Sequence, residues 1–224
     1  MNLSLNTLLK CNQQFIKQYQ TNPLMHLING SQMHQASVRH QLLDAIQLFS
    51  NYFQKIVMLR YVFCDHPSFL QVCQKHLQEE FGHNFLLMQD RDNRPPMWDA
   101  ILEAAASWFC WKMFTLDEEE KVVLVHMVME ASAQLFFQQA HKVMQYYGET
   151  TYFETHAHAD EKHEKMGIEL LEELKPQKYQ RLLEVQKQGW IMLNTICERI
   201  AQLALSNDKK KLATVEKRLE LHVV

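Results

Sequence analysis

Between Met33 and Cys64 the chain runs thirty-two residues with neither a glycine nor a proline. Within that run Leu42, Ile46, Phe49, Phe53, Val57 and Tyr61 recur at intervals of three or four, which places them on one face of a helix with 3.6 residues per turn. A second unbroken run, Asp117 to Tyr147, stops at Gly148, a residue suited to closing a helix. Only five glycines and five prolines occur in 224 residues, so few turns are available, and the abundant Leu, Gln, Glu, Met and Ala favour helix. The expectation is an all-α bundle of about seven helices in a single domain, 1–224, with its core over about 22–205 and a short charged tail, 206–224.

The breakers set the expected boundaries. An amphipathic helix over 3–20, with Leu5, Leu8, Leu9 and Phe15 on one side, meets the turn signal Asn22-Pro23. A short helix with Leu24, Met25 and Leu27 precedes Asn29-Gly30-Ser31. After the long helix, Asp65-His66-Pro67-Ser68 opens one predicted over 68–89. Gly82 sits in its interior, where glycine costs about 1 kcal/mol relative to alanine; a close approach by another helix or a ligand would account for it. A loop, 90–96, leads to a helix from about Met97 to Thr115, and Thr115 then reads as the N-cap of the helix over 117–147. Helices over 149–175 and 176–205 complete the bundle.

The net charge of −3, with no basic stripe, argues against nucleic acid as a partner. Five cysteines (Cys11, Cys64, Cys73, Cys110, Cys197) form an odd set without CxxC spacing, as in a reduced protein. No basic segment followed by an apolar run begins the chain, and no stretch of eighteen apolar residues occurs. A cytoplasmic protein without a membrane partner is expected; a homodimer stays open.

Chemistry is concentrated in the stretch THAHADEKHEKMG, Thr155 to Gly167. His156, Asp160 and His163 fall at i, i+4 and i+7, within an arc of roughly 60° on a helix, while His158 points to the other side. Imidazole, carboxylate and imidazole on one face make a transition-metal ligand set, although histidines and acids also crowd solvated faces. Two other segments carry matching groups. Glu80 and His83 share a helical face with Cys73 and His76; His76 is an additional or substitute ligand, and Glu79 a substitute for Glu80, while the alternative is surface acids, Glu79 and Glu80, with a packed His83. Glu130 stands within the apolar run VVLVHMVMEASAQLFF, where a carboxylate needs a partner or a metal, and His126 is one turn earlier. Mixed nitrogen and oxygen donors suit non-haem iron or manganese.

The set Glu80 with His83, then Glu130, then HxxxDxxH at His156, Asp160 and His163 resembles the haem-oxygenase-like di-iron oxidases. That family shares its fold with thiaminase-type and pyrroloquinoline-quinone-synthesis proteins. The resemblance covers about residues 22–205 and extends to a chlamydial member similar in size and ligand order. It implies a seven-helix haem-oxygenase-like fold and a metal centre of Glu80, His83, Glu130, His156, Asp160 and His163. It also implies two iron ions (manganese as a variant), with O2 as co-substrate. Members oxidise small organic molecules or their own side chains; Tyr19, Tyr52, Tyr61, Tyr146 and Tyr147 include candidates for the latter, although ordinary packing accounts for each.

Two other functions compete with an O2-activating oxidoreductase. A metal-free thiaminase-like hydrolase would need a reactive thiol, with Cys73 and Cys110 as candidates. A non-enzymatic interaction protein would use the Met-rich and aromatic stripes that otherwise form core.

Overall fold

The structure, a computed structural model, describes residues 3–147 and 151–206, without the side chains of 158–162. The expectations for Gly148, His158, the side chain of Asp160 and the tail beyond 206 fall outside those residues. All regular structure among the described residues is helical: α1 (Leu5–Tyr19), α2 (Pro23–Ile28), α3 (Ala36–Val62), α4 (Pro67–Glu80), α5 (His83–Asp90) and α6 (Ala100–Thr115), then α7 (Glu118–Val122), α8 (Ala131–Tyr146), α9 (Thr151–His163) and α10 (Pro176–Leu205).

The first helices end where the sequence places their breakers. Asn22 caps α2 by accepting from the Leu24 amide, and Pro23 occupies the first turn, where its missing N–H costs nothing. Leu24, Met25, Leu27 and Ile28 are buried. α1 rests on α10 through Asn12, whose Oδ1 accepts from Trp190 Nε1 at 2.8 Å and from Gln186 Nε2 at 3.2 Å.

Three boundaries differ from expectation. The helix predicted over 68–89 is broken at Gly82, which has φ +90°, so Glu80 ends α4 and His83 begins α5. The nearest atom to a Cβ added at Gly82 is Phe85 Cδ2 at 3.8 Å, which is ordinary contact. Left-handed backbone, not close approach, is therefore what requires glycine there. The N-cap of α7 is Asp117 in place of Thr115, which ends α6. Asp117 accepts from the Glu120 amide and Glu120 Oε2 accepts from the Asp117 amide, each at 3.1 Å, forming a capping box. Finally, α9 stops at His163, short of the predicted 175, and a 3₁₀ turn, Ile168–Leu171, follows.

From α7 the chain continues without a break through a π-helical segment, Val123–Glu130, into α8. Every residue of that segment is buried. α10 lies along it and also packs on α1, α2, α3 and α6. Gly189 makes the contact with the π segment fit: a Cβ there would lie 2.6 Å from Leu124 Cδ1 and 3.2 Å from Val128 Cγ2. Around this axis α3 supports α4 and α5, while α9 packs between α5 and α8. The α4–α5 corner, the end of the π segment and α9 thus converge on one buried region.

Candidate metal centre

Each contributing segment brings its groups in for a local reason. The Gly82 corner turns Glu80 and His83 towards each other, with His83 Nδ1 3.1 Å from Glu80 Oε2. His76, one turn before Glu80 on α4, reaches across to Glu130, the last residue of the π segment, with Nε2 2.7 Å from Oε1. π-helical turns recur at functional sites because they change which residues face inward. On α9, His156 and His163 fall on one side, as the i, i+7 spacing predicts.

Two sets of donors result. Glu80, His83 and His156 bring one ligand atom each to within 4.8 Å of one another, and so do His76, Glu130 and His163. The sets adjoin: His163 Nδ1 lies 3.1 Å from Glu80 Oε1 and 3.6 Å from Glu130 Oε2. All but His83 are buried, and its side chain is 18% exposed. Five of the six residues expected from the sequence therefore meet here, and Asp160 lies on the same helix with its side chain outside the described residues. His76 enters as a direct member opposite Glu130, beside Glu80 and not in its place.

Neighbouring groups orient the rings. His156 Nδ1 donates to the Tyr152 carbonyl at 2.7 Å, which turns Nε2 towards Glu80 Oε2, 3.8 Å away. That separation is too long for a hydrogen bond but within the about 4.2 Å that two atoms each about 2.1 Å from a shared ion can span. The Phe137 ring stacks on His156 at 4.4 Å. Glu79, which the sequence left open between a substitute for Glu80 and a surface acid, lies with Oε2 3.0 Å from His163 Nε2, on the ring edge opposite Glu80 and Glu130. Its side chain is 41% exposed, so nothing in local hydrophobic pattern signals it. A carboxylate gripping the remote nitrogen of a histidine is the usual support for a metal-bound imidazole.

The electrostatics are those of a donor set held by protons. Burial pushes the Glu80 carboxyl up, but hydrogen bonds from His163 and His83 and the charge of His156 prevail and hold it well below the carboxylate range. Burial likewise opposes ionisation of Glu130, and His76 with His163 overcomes it. Burial lowers His163, yet its bonds to Glu130 and Glu80 raise it to about 11. Burial leaves His156 lowered, despite the nearby Glu80 carboxylate.

His126 does not join the set. Arg60 Nη1 donates to its Nε2 at 2.6 Å, so that nitrogen must carry the lone pair, and burial with the adjacent guanidinium keeps His126 well below its ordinary value. Arg60 comes from α3, distant in the chain.

A cavity of about 80 Å³ opens on Glu80, Glu130 and His156. Its remaining walls include Phe49, Phe53, Phe136, Phe137, Leu193 and Ile196. Neither Cys73 nor Cys110 is among its lining residues; the cysteine there is Cys197, whose thiol burial pushes up to about 12. Of the candidate tyrosines, Tyr19 lines the cavity, whereas Tyr52 bonds Glu103 and Tyr147 bonds His34.

The chain has a haem-oxygenase-like fold. It superposes with a TM-score of 0.69 on a domain of unknown function with that fold from Shewanella denitrificans OS217, over 93% of this chain and 98% of the other, at 17% identity. No family model matches the sequence. The uncharacterized protein RP592 of Rickettsia prowazekii (strain Madrid E) is 35% identical over 197 residues, covering 88% of this chain and 94% of the relative. The chain belongs to the family of that protein. No helix among the described residues is long and apolar enough to cross a membrane.

Proposed function

We propose that the protein is a non-haem di-metal oxidoreductase that activates O2 for oxidation of a small apolar molecule. The observation carrying this reading is the pair of adjoining donor sets, each two imidazoles and one carboxylate, buried at the end of an apolar cavity. The fit of the residues to metal rests on the His156 geometry: its Nδ1 is committed to a carbonyl and its Nε2 faces a carboxylate beyond hydrogen-bond range. Ligands of this type favour iron or manganese over calcium. Glu80, His83 and His156 would hold one ion and His76, Glu130 and His163 the other. Asp160 is kept as a third carboxylate on its spacing from His156 and His163, since two carboxylates offset only half the charge of two divalent ions.

Two ferrous ions bound there would supply electrons to O2 and the oxidising power for attack on a substrate bond. The chain's own residues do the rest. Glu80 and Glu130 each give one set its negative charge, while Glu79 and the Tyr152 carbonyl fix the His163 and His156 rings. The aromatic walls at Phe49, Phe53, Phe136 and Phe137 exclude water and favour an apolar substrate. A second reading, oxidation of the protein's own side chain, draws on Tyr19 in the cavity wall and on Tyr152, whose ring centroid is 4.3 Å from that of His156. Cys73 and Cys110 are not among the residues lining that cavity, which counts against the hydrolase reading.

The test is O2 uptake by anaerobically prepared, ferrous-loaded protein, followed by intact mass. Stoichiometric uptake that disappears in Glu130→Ala supports the reading, and uptake equal in both proteins, or absent from the wild type, contradicts it. An unchanged protein mass favours an external substrate; added mass at Tyr19 or Tyr152 favours self-modification.

A further inference from the structure

Away from the histidines, Cys64, Cys73 and Glu118 bring Sγ, Sγ and a carboxylate oxygen to within 4.8 Å of one another. Cys64 lies in the connection between α3 and α4, Cys73 on α4 itself, and both are buried. Two fixed cations border the cluster. Lys121 Nζ is 2.8 Å from Glu118 Oε1. Arg60 is 1% exposed; among the described residues its Nε and Nη2 have no hydrogen-bond partner, and Nη1 alone is engaged, by His126. Burial opposes the Arg60 charge, and the groups that support it are Cys73 first, then Glu118, Cys64 and Glu130.

A buried guanidinium with two idle N–H edges needs an anion beside it. A divalent metal in the cluster would add positive charge next to Arg60 and Lys121, whereas a thiolate would complement them. We propose that Cys64 and Cys73 are a redox-active dithiol, which peroxide closes to a disulfide linking the α3–α4 connection to helix α4. Cys73, the group that does most to support the Arg60 charge, attacks first. Cys64, whose thiol burial and the neighbouring Cys73 push up to about 12, keeps its proton and acts second.

The Cys73 sulfur attacks one oxygen of hydrogen peroxide; an S–O bond forms, the O–O bond breaks, and the departing hydroxide takes a proton to become water. Cys64 then gives its proton to Glu118, a carboxylate oxygen of which lies within 4.8 Å of both sulfurs, and attacks the Cys73 sulfenic sulfur. The S–S bond forms, the S–O bond breaks, and the second hydroxide leaves as water with the proton from Glu118. The two sulfurs lose two electrons and the peroxide gains them. An S–S bond is about 2.0 Å long, so the sulfurs must draw closer, and Cys64 sits in a non-helical junction that can give. Cys73 is one turn before His76 on α4, so closure pulls on the turn that carries His76 and Glu80. The dithiol itself does not depend on what the histidine site binds.

The test uses the full reduced chain, treated with a small excess of hydrogen peroxide, alkylated with N-ethylmaleimide in denaturant and mapped by mass spectrometry without reduction. The expected result is a Cys64–Cys73 cross-linked peptide that dithiothreitol reverses, with Cys11, Cys110 and Cys197 still alkylated. In Cys64→Ser, dimedone traps a sulfenic acid on Cys73; in Cys73→Ser it traps none on Cys64. Full alkylation of Cys64 and Cys73 after peroxide would overturn the proposal. So would one zinc per chain, bound by the wild type, lost in Cys73→Ser and protecting both thiols.

Discussion

Glu79 Oε2 lies 3.0 Å from His163 Nε2, on the ring edge opposite the one facing Glu80 and Glu130. Neighbouring carboxylates on the last turn of α4 thus hold both edges of one imidazole. Glu79→Ala removes the outer grip and leaves every proposed ligand in place. The expected outcome is a roughly 10- to 100-fold loss of metal affinity in a competition titration, with little change in thermal stability of the metal-free protein. Affinity equal to wild type would show that Glu79 is an exposed acid without a positioning role.

Gly82 fixes the corner between Glu80 and His83 at φ +90°. An L-residue there carries a strain of about 1–2 kcal/mol, so Gly82→Ala should lower the urea midpoint. Gly82→Asn should lower it less, because asparagine tolerates left-handed backbone better. Equal stability of all three proteins would contradict the assigned geometry.

Asp99 and Arg199 tie the start of α6 to the last third of α10 through bonds of 2.6 to 3.2 Å. Burial pushes the Asp99 carboxyl up, but Arg199 and the Leu102 amide outweigh it and hold it below its ordinary value. A depressed folded value means stability that is present above the unfolded carboxylate pKa and lost as pH falls through the folded one. Arg199→Met should therefore cost up to about 1 kcal/mol at pH 7, and the difference should shrink as pH falls below about 4. Denaturant melts at both pH values check this, and a difference that grows in acid would contradict it.

The helical class followed from the scarcity of glycine and proline, and several helix ends followed from Asn22-Pro23, Pro67 and Pro176. What escaped was conformational detail that residue type leaves open. Gly82 mid-pattern suits a close approach or a left-handed corner equally, and only the backbone decides. Thr115 and Asp117 are both capping residues, and the Glu120 reciprocal bond selects Asp117. The π segment changes the relation of His126 to Glu130, which α-helical spacing had set one turn apart. At the site, the i, i+7 spacing on α9 made His156 and His163 legible. The pairing of His76 with Glu130 and of Arg60 with His126 joins elements distant in sequence, and no local pattern specifies either.

Elemental analysis of anaerobically purified, ferrous-loaded protein tests the central claim most directly. Two ions per chain are expected in the wild type. Loss of the ion held with Glu130 and His163 should leave one in His76→Ala, and His156→Ala should lose the ion held with Glu80 and His83. No retained metal in the wild type, or two ions retained in His76→Ala, would contradict it.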